Sequence, residues 1–415
     1  MDKFMNNSTC SIIETCIVCD SRELVEILNM NKQPLANSFK NSQNDSENVY
    51  PLKLNKCSRC HHLQLSHMVH PDQIFKNYLY VSGTSNTQLE YFDWFSKMVK
   101  DKIKKSNGNI LDIGCNDGSQ LDSFKKLGFF TFGVDPAENL HINSSKKHKV
   151  VCDYFNKSSV NFSQKFDAII CQNAFSHNYD QKQFLEKCKS ILSDDGFIFI
   201  TISQSNMIQN NEFDVIYHEH YSYYSVTCMK ILCERMGLHL VDLIQHPIHG
   251  NSYIFIISPK LSDSSVIDKL IQEEEKVGLY GIEIYKNFEI ASKQTVLDFS
   301  NAVKKLKDDG NVIIGYGSPA KGNTMLNFCG VTLDFIVDDN PLKQGKFTPG
   351  TSIPIVSMDH LETIKNKEKV CFVPLAWNFF EEISKKISST RPNIKTTYIK
   401  YFPVFEIFNK GGTVL

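Results

Sequence analysis

Twice in this chain of 415 residues an apolar run of strand length ends in a glycine turn and opens into a helical pattern. The first is NILDIGCNDGSQL at 109–121, the second NVIIGYGSPAKG at 311–322. About 20 residues after each turn the next apolar run ends in an acid, Asp135 in FGVDP and Asp338 in FIVDD, where a carboxylate can take two ribose hydroxyls. Strand, tight turn and helix repeated in this order favour parallel strands joined by helical crossovers. Two open α/β folds in series are therefore expected.

The first fold is read from seven apolar runs: NILDIGC, FTFGVDP, KVVCDYF, FDAIICQNAF, GFIFITIS, HLVDLIQ and SYIFIIS. Most are separated by helical stretches such as QKQFLEKCKSIL. Seven strands with an antiparallel last strand make the Rossmann-like sheet of a class I methyltransferase. In its turn Gly114 allows close backbone approach and Asp117-Gly118 continues the bend, but the second glycine of G-x-G-x-x-G is missing. That favours a ligand with no pyrophosphate at this point, such as S-adenosylmethionine. The second fold has the runs NVIIGYG, LDFIVDD, KVCFVPL and TTYIKYF. Its Gly315, Gly317 and Ala320 fit G-x-G-x-x-A, a pattern that alone suggests a nicotinamide-dependent dehydrogenase. Charged amphipathic helices from Ser262 to Asp309 form a bridge to it.

Ahead of both lies a third part. Of 13 cysteines, most sit singly in apolar runs, where cysteine behaves as a small hydrophobe. Cys16 and Cys19 in CIVC and Cys57 and Cys60 in CSRC differ: two CxxC knuckles bring four thiolates to the tetrahedral shell zinc prefers. Unligated or redox thiols are the competing reading. His61 and His62 are expected just outside the shell. With four protein ligands and no open position, such a zinc is structural. The expected partition is a zinc-binding module at 1–75, an S-adenosylmethionine-binding methyltransferase domain at 76–260, and the bridge with a C-terminal Rossmann-like domain at 261–415.

Lys+Arg 45 against Asp+Glu 46 gives no overall electrostatic footprint for nucleic acid or an anionic membrane, so a small-molecule partner is expected. No run of signal-peptide or membrane-spanning length is present, and a cytoplasmic location is expected.

The motifs YLYVSGTS, LDIGCNDGSQL, QNAFSHN, VIYHEHYSYYS, PIHGNSY and GYGSPAKGNTMLN, followed by VDDNPLKQGKFTPGTSIPI, occur in the order and spacing of a known family. The chain resembles the three-domain sugar-nucleotide C-methyltransferases over nearly its whole length. The resemblance implies an N-terminal zinc module, a central S-adenosylmethionine domain and a C-terminal nucleotide-sugar domain. It implies methyl transfer to the carbon next to the ketone of a nucleotide-linked keto-deoxyhexose.

In open α/β folds the ligand crevice lies at the carboxyl ends of the strands, where QNAFSHN ends the fourth run and YHEH follows the fifth. The resemblance makes His220 the base that takes a proton from the substrate carbon; a neutral imidazole suits this role because its ordinary pKa lies near 6.5. Glu219 orients the ring or shares the proton, Tyr217 donates to the enolate oxygen, and Tyr80, with Tyr78 as fallback, matches the family's other active-site tyrosine. Asn173 and His177 complete the candidate catalytic set. The cofactor-binding candidates are Asp112, Gly114, Asn116, Asp117, Asp135 and Asn173. Those for substrate are His218, His249, Asn251, Gly317, Lys321, Asn323 and Lys343, the lysines meeting phosphate charge. Tyr221, Tyr223 and Tyr224 are expected as packing and substrate walls. A metal site at His218 and His220 and a solvated loop remain open for YHEH. Family members often read HGGS where Asn251 stands, so substrate identity is less fixed than reaction type. An O-methyltransferase or a non-catalytic nucleotide-sugar-binding scaffold are the alternatives.

Overall fold

The computed structural model describes residues 9–409 except 77, 79, 204, 205, 263, 365–368 and 391–395. Contacts group the chain into two compact units. The first holds Met1–Glu26, Asn55–Asn206 and Glu219–Gly281; the second holds Ile27–Leu54, Met207–His218 and Ile282–Leu415.

The first unit begins with the short strand β1 (Cys10–Ile12). The long strands β2 (Leu24–Pro34) and β3 (Val49–Cys57) pass from one unit into the other, and β4 (Leu63–Leu65) and β5 (His67–Val69) follow. Strand β1 pairs antiparallel with β5. Helix α1 (Asn86–Ile103) is started by Ser85, whose side chain accepts from Gln88 N–H, and it buries Tyr91, Phe92, Phe95, Val99 and Ile103 along one face.

The α/β alternation then runs β6 (Asn109–Ile113), α2 (Ser119–Lys126), β7 (Phe130–Val134), α3 (Glu138–Ser144), β8 (Lys149–Val151), β9 (Phe166–Gln172), α4 (Gln181–Ile191) and β10 (Leu192–Ile202). After it come β11 (Ser222–Tyr223), α5 (Val226–Arg235), β12 (His239–His246) and β13 (Ser252–Ser258). Seven of these strands form one sheet in the order β12-β13-β10-β9-β6-β7-β8. β13 is antiparallel to both neighbours and the remaining pairs are parallel, as the seven apolar runs imply. The runs are apolar throughout because both faces are covered. Leu111, Ile113, Ile169 and Ile200 pack into one core, while Ile110, Ala168, Ile170 and Phe199 pack into the other. The strand order reverses between β6 and β9, so their carboxyl ends frame the crevice.

The bridge is two helices, α6 (Ser265–Val277) and α7 (Glu283–Asp308). α6 stops at Gly278, left-handed at φ 88°, and belongs to the first unit. Its Glu274 accepts from Thr227 N–H at 3.0 Å and Thr227 Oγ1 at 2.7 Å, capping α5.

The second unit continues with β14 (Val312–Tyr316), α8 (Ala320–Cys329), β15 (Phe335–Val337), β16 (Ile355–Val356), β17 (Val370–Pro374), α9 (Phe380–Thr390), β18 (Thr397–Lys400) and β19 (Glu406–Asn409). The order is β16-β15-β14-β17-β18-β19, with β19 antiparallel. This is the dinucleotide-type arrangement, its switch point between β14 and β17. The four expected strands are present; β16 and β19 were not expected, being too short to show a period. No helix among the described residues is long and apolar enough to cross a membrane.

Candidate active site

In the first unit the loop after β9 and the segment 219–223 are locked together. Tyr221 N–H donates to the Ser176 carbonyl at 2.8 Å and its buried hydroxyl donates to the Val69 carbonyl at 2.7 Å. Ser222 and Tyr223 form β11 against β4, which fixes which side chains face inward. Held this way, the His220 ring stacks on His177 with centroids 5.2 Å apart and 23° between planes, and His177 stacks in turn on Phe75 at 5.3 Å. Burial pushes the His177 pKa down to about 4, so this ring is neutral near pH 7 and brings no positive charge against His220. Glu219, 3% exposed, accepts from Tyr78 Oη at 2.9 Å. A buried carboxyl thus meets the tyrosine named as fallback, one residue before the histidine that stacks on His177.

Tyr80 is 49% exposed and its carbonyl accepts from Asn116. Tyr217 and His218 group with the second unit, where His218 Nε2 lies 3.3 Å from the Tyr50 carbonyl. Tyr221, Tyr223 and Tyr224 are all buried, as expected of packing residues.

The turn after β6 is built for close approach. Gly114 has φ 81°, and a Cβ there would stand 2.6 Å from Ala174 Cβ, so the loop after β9 passes directly over it. Asn173, at φ 53°, donates its N–H to the Thr201 carbonyl at 2.9 Å, and its buried side-chain oxygen has no partner among the described residues. Asp135 accepts from Asn116 N–H at 2.8 Å and Ala137 N–H at 2.9 Å. Burial raises its pKa, and these two N–H groups oppose the rise. Asp112 is held well above the usual carboxylate range, first by burial and then by the charges of Asp135 and Asp117, which favours its neutral form. The side chains of Asn116 and Asp117 turn to the segment before α1: Asn116 Oδ1 accepts from Ser82 N–H and Asp117 Oδ2 from Gly83 N–H, each at 3.0 Å.

His249 and Asn251 flank Gly250 in the turn before β13. Asn251 sits at φ 151°, ψ 109°, backbone that suits glycine better than asparagine, at the position where the resemblance expects glycine.

The second unit repeats the acid-to-turn device: Asp338 accepts from Ser318 N–H at 2.7 Å and Asn340 N–H at 2.8 Å. Gly317, at φ 75°, faces Ala376 beyond β17, where a Cβ would be 3.6 Å from Ala376 Cβ. Lys343 donates to the Ser318 carbonyl at 2.9 Å and lies 3.6 Å from Asp338; Asn323 donates to the Ala36 carbonyl at 2.8 Å. Lys321 Nζ is buried with no hydrogen-bond partner among the described residues, 4.8 Å over the Trp377 ring. Trp377 Nε1 donates to buried Asp214 at 2.7 Å. Burial pushes the Asp214 carboxyl up to about 6 against the opposing Lys321 charge. Sequence reasoning missed Asp214 and Trp377. Trp377 had a signal, being one of two tryptophans and lying just after a strand.

The four thiols of Cys16, Cys19, Cys57 and Cys60 are buried with all Sγ atoms within 4.8 Å of one another. Cys16 to Cys60 is 3.4 Å and Cys19 to Cys57 is 3.5 Å. The Cys60 thiol against Cys16 lowers the Cys16 pKa to about 6, and Cys60 is raised.

Three sequence families match in succession: a zinc-binding domain over 16–75, a methyltransferase domain over 84–243 and a C-methyltransferase C-terminal domain over 247–403. The C-methyltransferase NovU of Streptomyces niveus is 28% identical over 386 residues, 89% of this chain and 91% of that protein. The chain is a methyltransferase with the domain order of a C-methyltransferase. A ubiquinone biosynthesis O-methyltransferase of Glaesserella parasuis, 30% identical, matches this methyltransferase over only 112 residues, 23% of this chain and 48% of that protein. Magnesium protoporphyrin IX methyltransferase of Synechocystis, solved with bound SAH, is 12% identical at a TM-score of 0.36, covering 44% of this chain and 91% of that one, and carries no further argument.

S-adenosylmethionine and zinc are the cofactors that a methyltransferase domain and a zinc-binding domain call for. Both fit what is present. The glycine cradle at Gly114 and the unpartnered oxygen of Asn173 suit a ligand laid over the turn, and four converging sulfurs suit a closed tetrahedral ion.

Proposed function

We propose that this methyltransferase methylates the carbon next to the ketone of a nucleotide-linked keto-deoxyhexose, with 1–75 holding zinc, 76–260 the cofactor and 261–415 the nucleotide sugar. The observation that carries the reading is the stack of His220 on a neutral His177 beside the Tyr78–Glu219 hydrogen bond. A base that must cycle between neutral and cationic forms is favoured by a neighbour that stays uncharged and a carboxyl in the next residue. S-adenosylmethionine supplies the electrophilic methyl group.

In this reading His220 takes the proton from the substrate carbon, whose electron pair moves into the enolate; that pair would then bond to the methyl carbon as the sulfur–methyl bond breaks and S-adenosylhomocysteine leaves. Glu219, fixed by Tyr78, steadies the imidazolium. Tyr217 donates to the enolate oxygen, with Tyr80, Asn173 and His177 shaping the pocket, and His218, His249 and Asn251 touch the sugar. Gly317, Lys321, Asn323 and Lys343 serve the nucleotide diphosphate, and the ammonium of Lys321, lacking a hydrogen-bond partner among the described residues, is the best placed of these to meet a phosphate. The O-methyltransferase match is confined to less than a quarter of the chain, which favours carbon over oxygen as the acceptor.

Asp135 takes the ribose hydroxyls in this reading. Asp135→Ala is expected to weaken binding of S-adenosylhomocysteine by about 1 to 3 kcal/mol. It also leaves the N–H groups of Asn116 and Ala137 without their acceptor, so the melting temperature falls with it. Asp135→Asn keeps one acceptor oxygen and separates the two effects. Unchanged affinity by calorimetry would move the ribose elsewhere.

The substrate is tested with a panel of nucleotide-linked keto-sugars, products being read by mass spectrometry and NMR. A new carbon–methyl bond beside the ketone is the expected product. Methyl on oxygen would establish the O-methyltransferase instead; cofactor binding with no transfer to any member would favour the binding scaffold.

A further inference from the structure

The segment that carries Tyr78 and Tyr80 is fastened by side chains of the glycine turn. Asn116 Nδ2 donates to the Tyr80 carbonyl and Asn116 Oδ1 accepts from Ser82 N–H, both at 3.0 Å, while Asp117 takes Gly83 N–H. A Cβ at Gly83 would lie 2.3 Å from Ser119 Oγ and 2.5 Å from Asp117 Oδ2, so the side chain that holds Gly83 N–H would have to move. Asn139, at the start of α3, adds an exposed clamp, accepting from Tyr78 N–H at 3.2 Å and donating to its carbonyl at 2.9 Å. Asn116 is the buried anchor, 8% exposed, and it occupies the left-handed region at φ 50°.

Asn116 also faces the other way. Its own N–H donates to Asp135, so one residue touches the acid at the end of β7 through its main chain and the strap through its side chain. At the far end of the strap Tyr78 Oη holds Glu219. We propose that Asn116 is a positioning residue for methyl transfer, tying the strap that sets Tyr78 against Glu219 to the loop that receives the cofactor. This rests on the reading of Glu219 and His220 as the proton-transfer pair. A cofactor that fixes Asp135 and its loop thereby narrows the positions open to Tyr78, and small misplacements near a reacting centre have large kinetic effects.

Asn116→Gly isolates the role. Glycine accepts φ 50° without strain and keeps the N–H to Asp135, so what is lost is the two strap bonds and the local acceptance from Asp117 N–H inside the turn. The expected result is a fall in kcat of about tenfold, with the Kd for S-adenosylhomocysteine changed by less than about twofold. In a Tyr78→Phe background the same substitution should cost less than about twofold, because both changes interrupt one path. Gly83→Ala, which displaces the Asp117 carboxylate that holds Gly83 N–H, should lower kcat in the same way. Loss of cofactor affinity in step with turnover would make Asn116 a cofactor ligand and overturn the proposal. Full multiplication of the Asn116→Gly and Tyr78→Phe effects would overturn it too, as would wild-type turnover in Gly83→Ala. The cycle reads turnover and not the identity of the base, so a failure of His220 as base leaves the coupling between Asn116 and Tyr78 measurable.

Discussion

His220→Ala is expected to lower turnover by roughly 10² to 10⁴, the usual range for a positioned general base, while both ligands still bind. Binding is expected to persist on the reading that the imidazole serves proton transfer and other groups hold the ligands. The proton itself gives the sharper readout. With substrate and a non-transferable cofactor analogue, wild-type enzyme is expected to exchange the hydrogen on the substrate carbon with deuterated water, and the variant is not. The ring's surroundings favour this specificity: His177 against it is neutral, and Glu219 is already engaged by Tyr78. A carboxyl held that way orients and stabilises better than it abstracts. Near wild-type turnover in His220→Ala would return Glu219 or His218 to first place.

The fold was legible where burial is two-sided. Strands such as FDAIICQ read as unbroken apolar runs because alternate residues feed different cores, and the glycine turns at 114 and 317 mark where each sheet opens. Short pairings were not legible: β16 has two residues, too few for any period. Grouping was hidden as well. Residues 27–54 count with the C-terminal unit through pairings such as Lys40 with Phe347 and Asn323 with Ala36, which no local pattern encodes. The boundary also runs through YHEH itself, between His218 and Glu219.

At the site, residue types were legible and their partners were not. Histidine and glutamate in one short segment announce proton chemistry, but that Tyr78 reaches Glu219 depends on a strap 141 positions earlier in the chain. Asn116 reads as a cofactor contact from its place in the turn. In the structure its amide holds Tyr80 and Ser82, while its main chain serves Asp135. Asn251 is a departure that sequence could flag without explaining; φ 151° shows that its cost lies in the backbone.

The zinc cluster should matter for turnover as well as for folding, although its four sulfurs leave no position open to substrate. One tightly held zinc per chain is expected by elemental analysis of purified protein. Cys57→Ser should release it and destabilise the module by several kcal/mol, because structural zinc binding is largely folding free energy, apparent values being about 10 to 16 kcal/mol in small zinc domains. The effect should travel along a short path. Cys57 N–H donates to the His62 carbonyl at 2.8 Å, and His62 Nε2 lies 3.0 Å from Ser222 Oγ, two residues beyond His220. Leu63 and Gln64 then pair with Tyr223 and Ser222, holding the segment that carries Glu219 and His220. Metal loss and turnover should therefore fall together in a chelator titration, with zinc restoring both. Purified protein with no zinc would remove the structural role; zinc loss with full turnover would show that the knuckles and the segment 219–223 are mechanically independent.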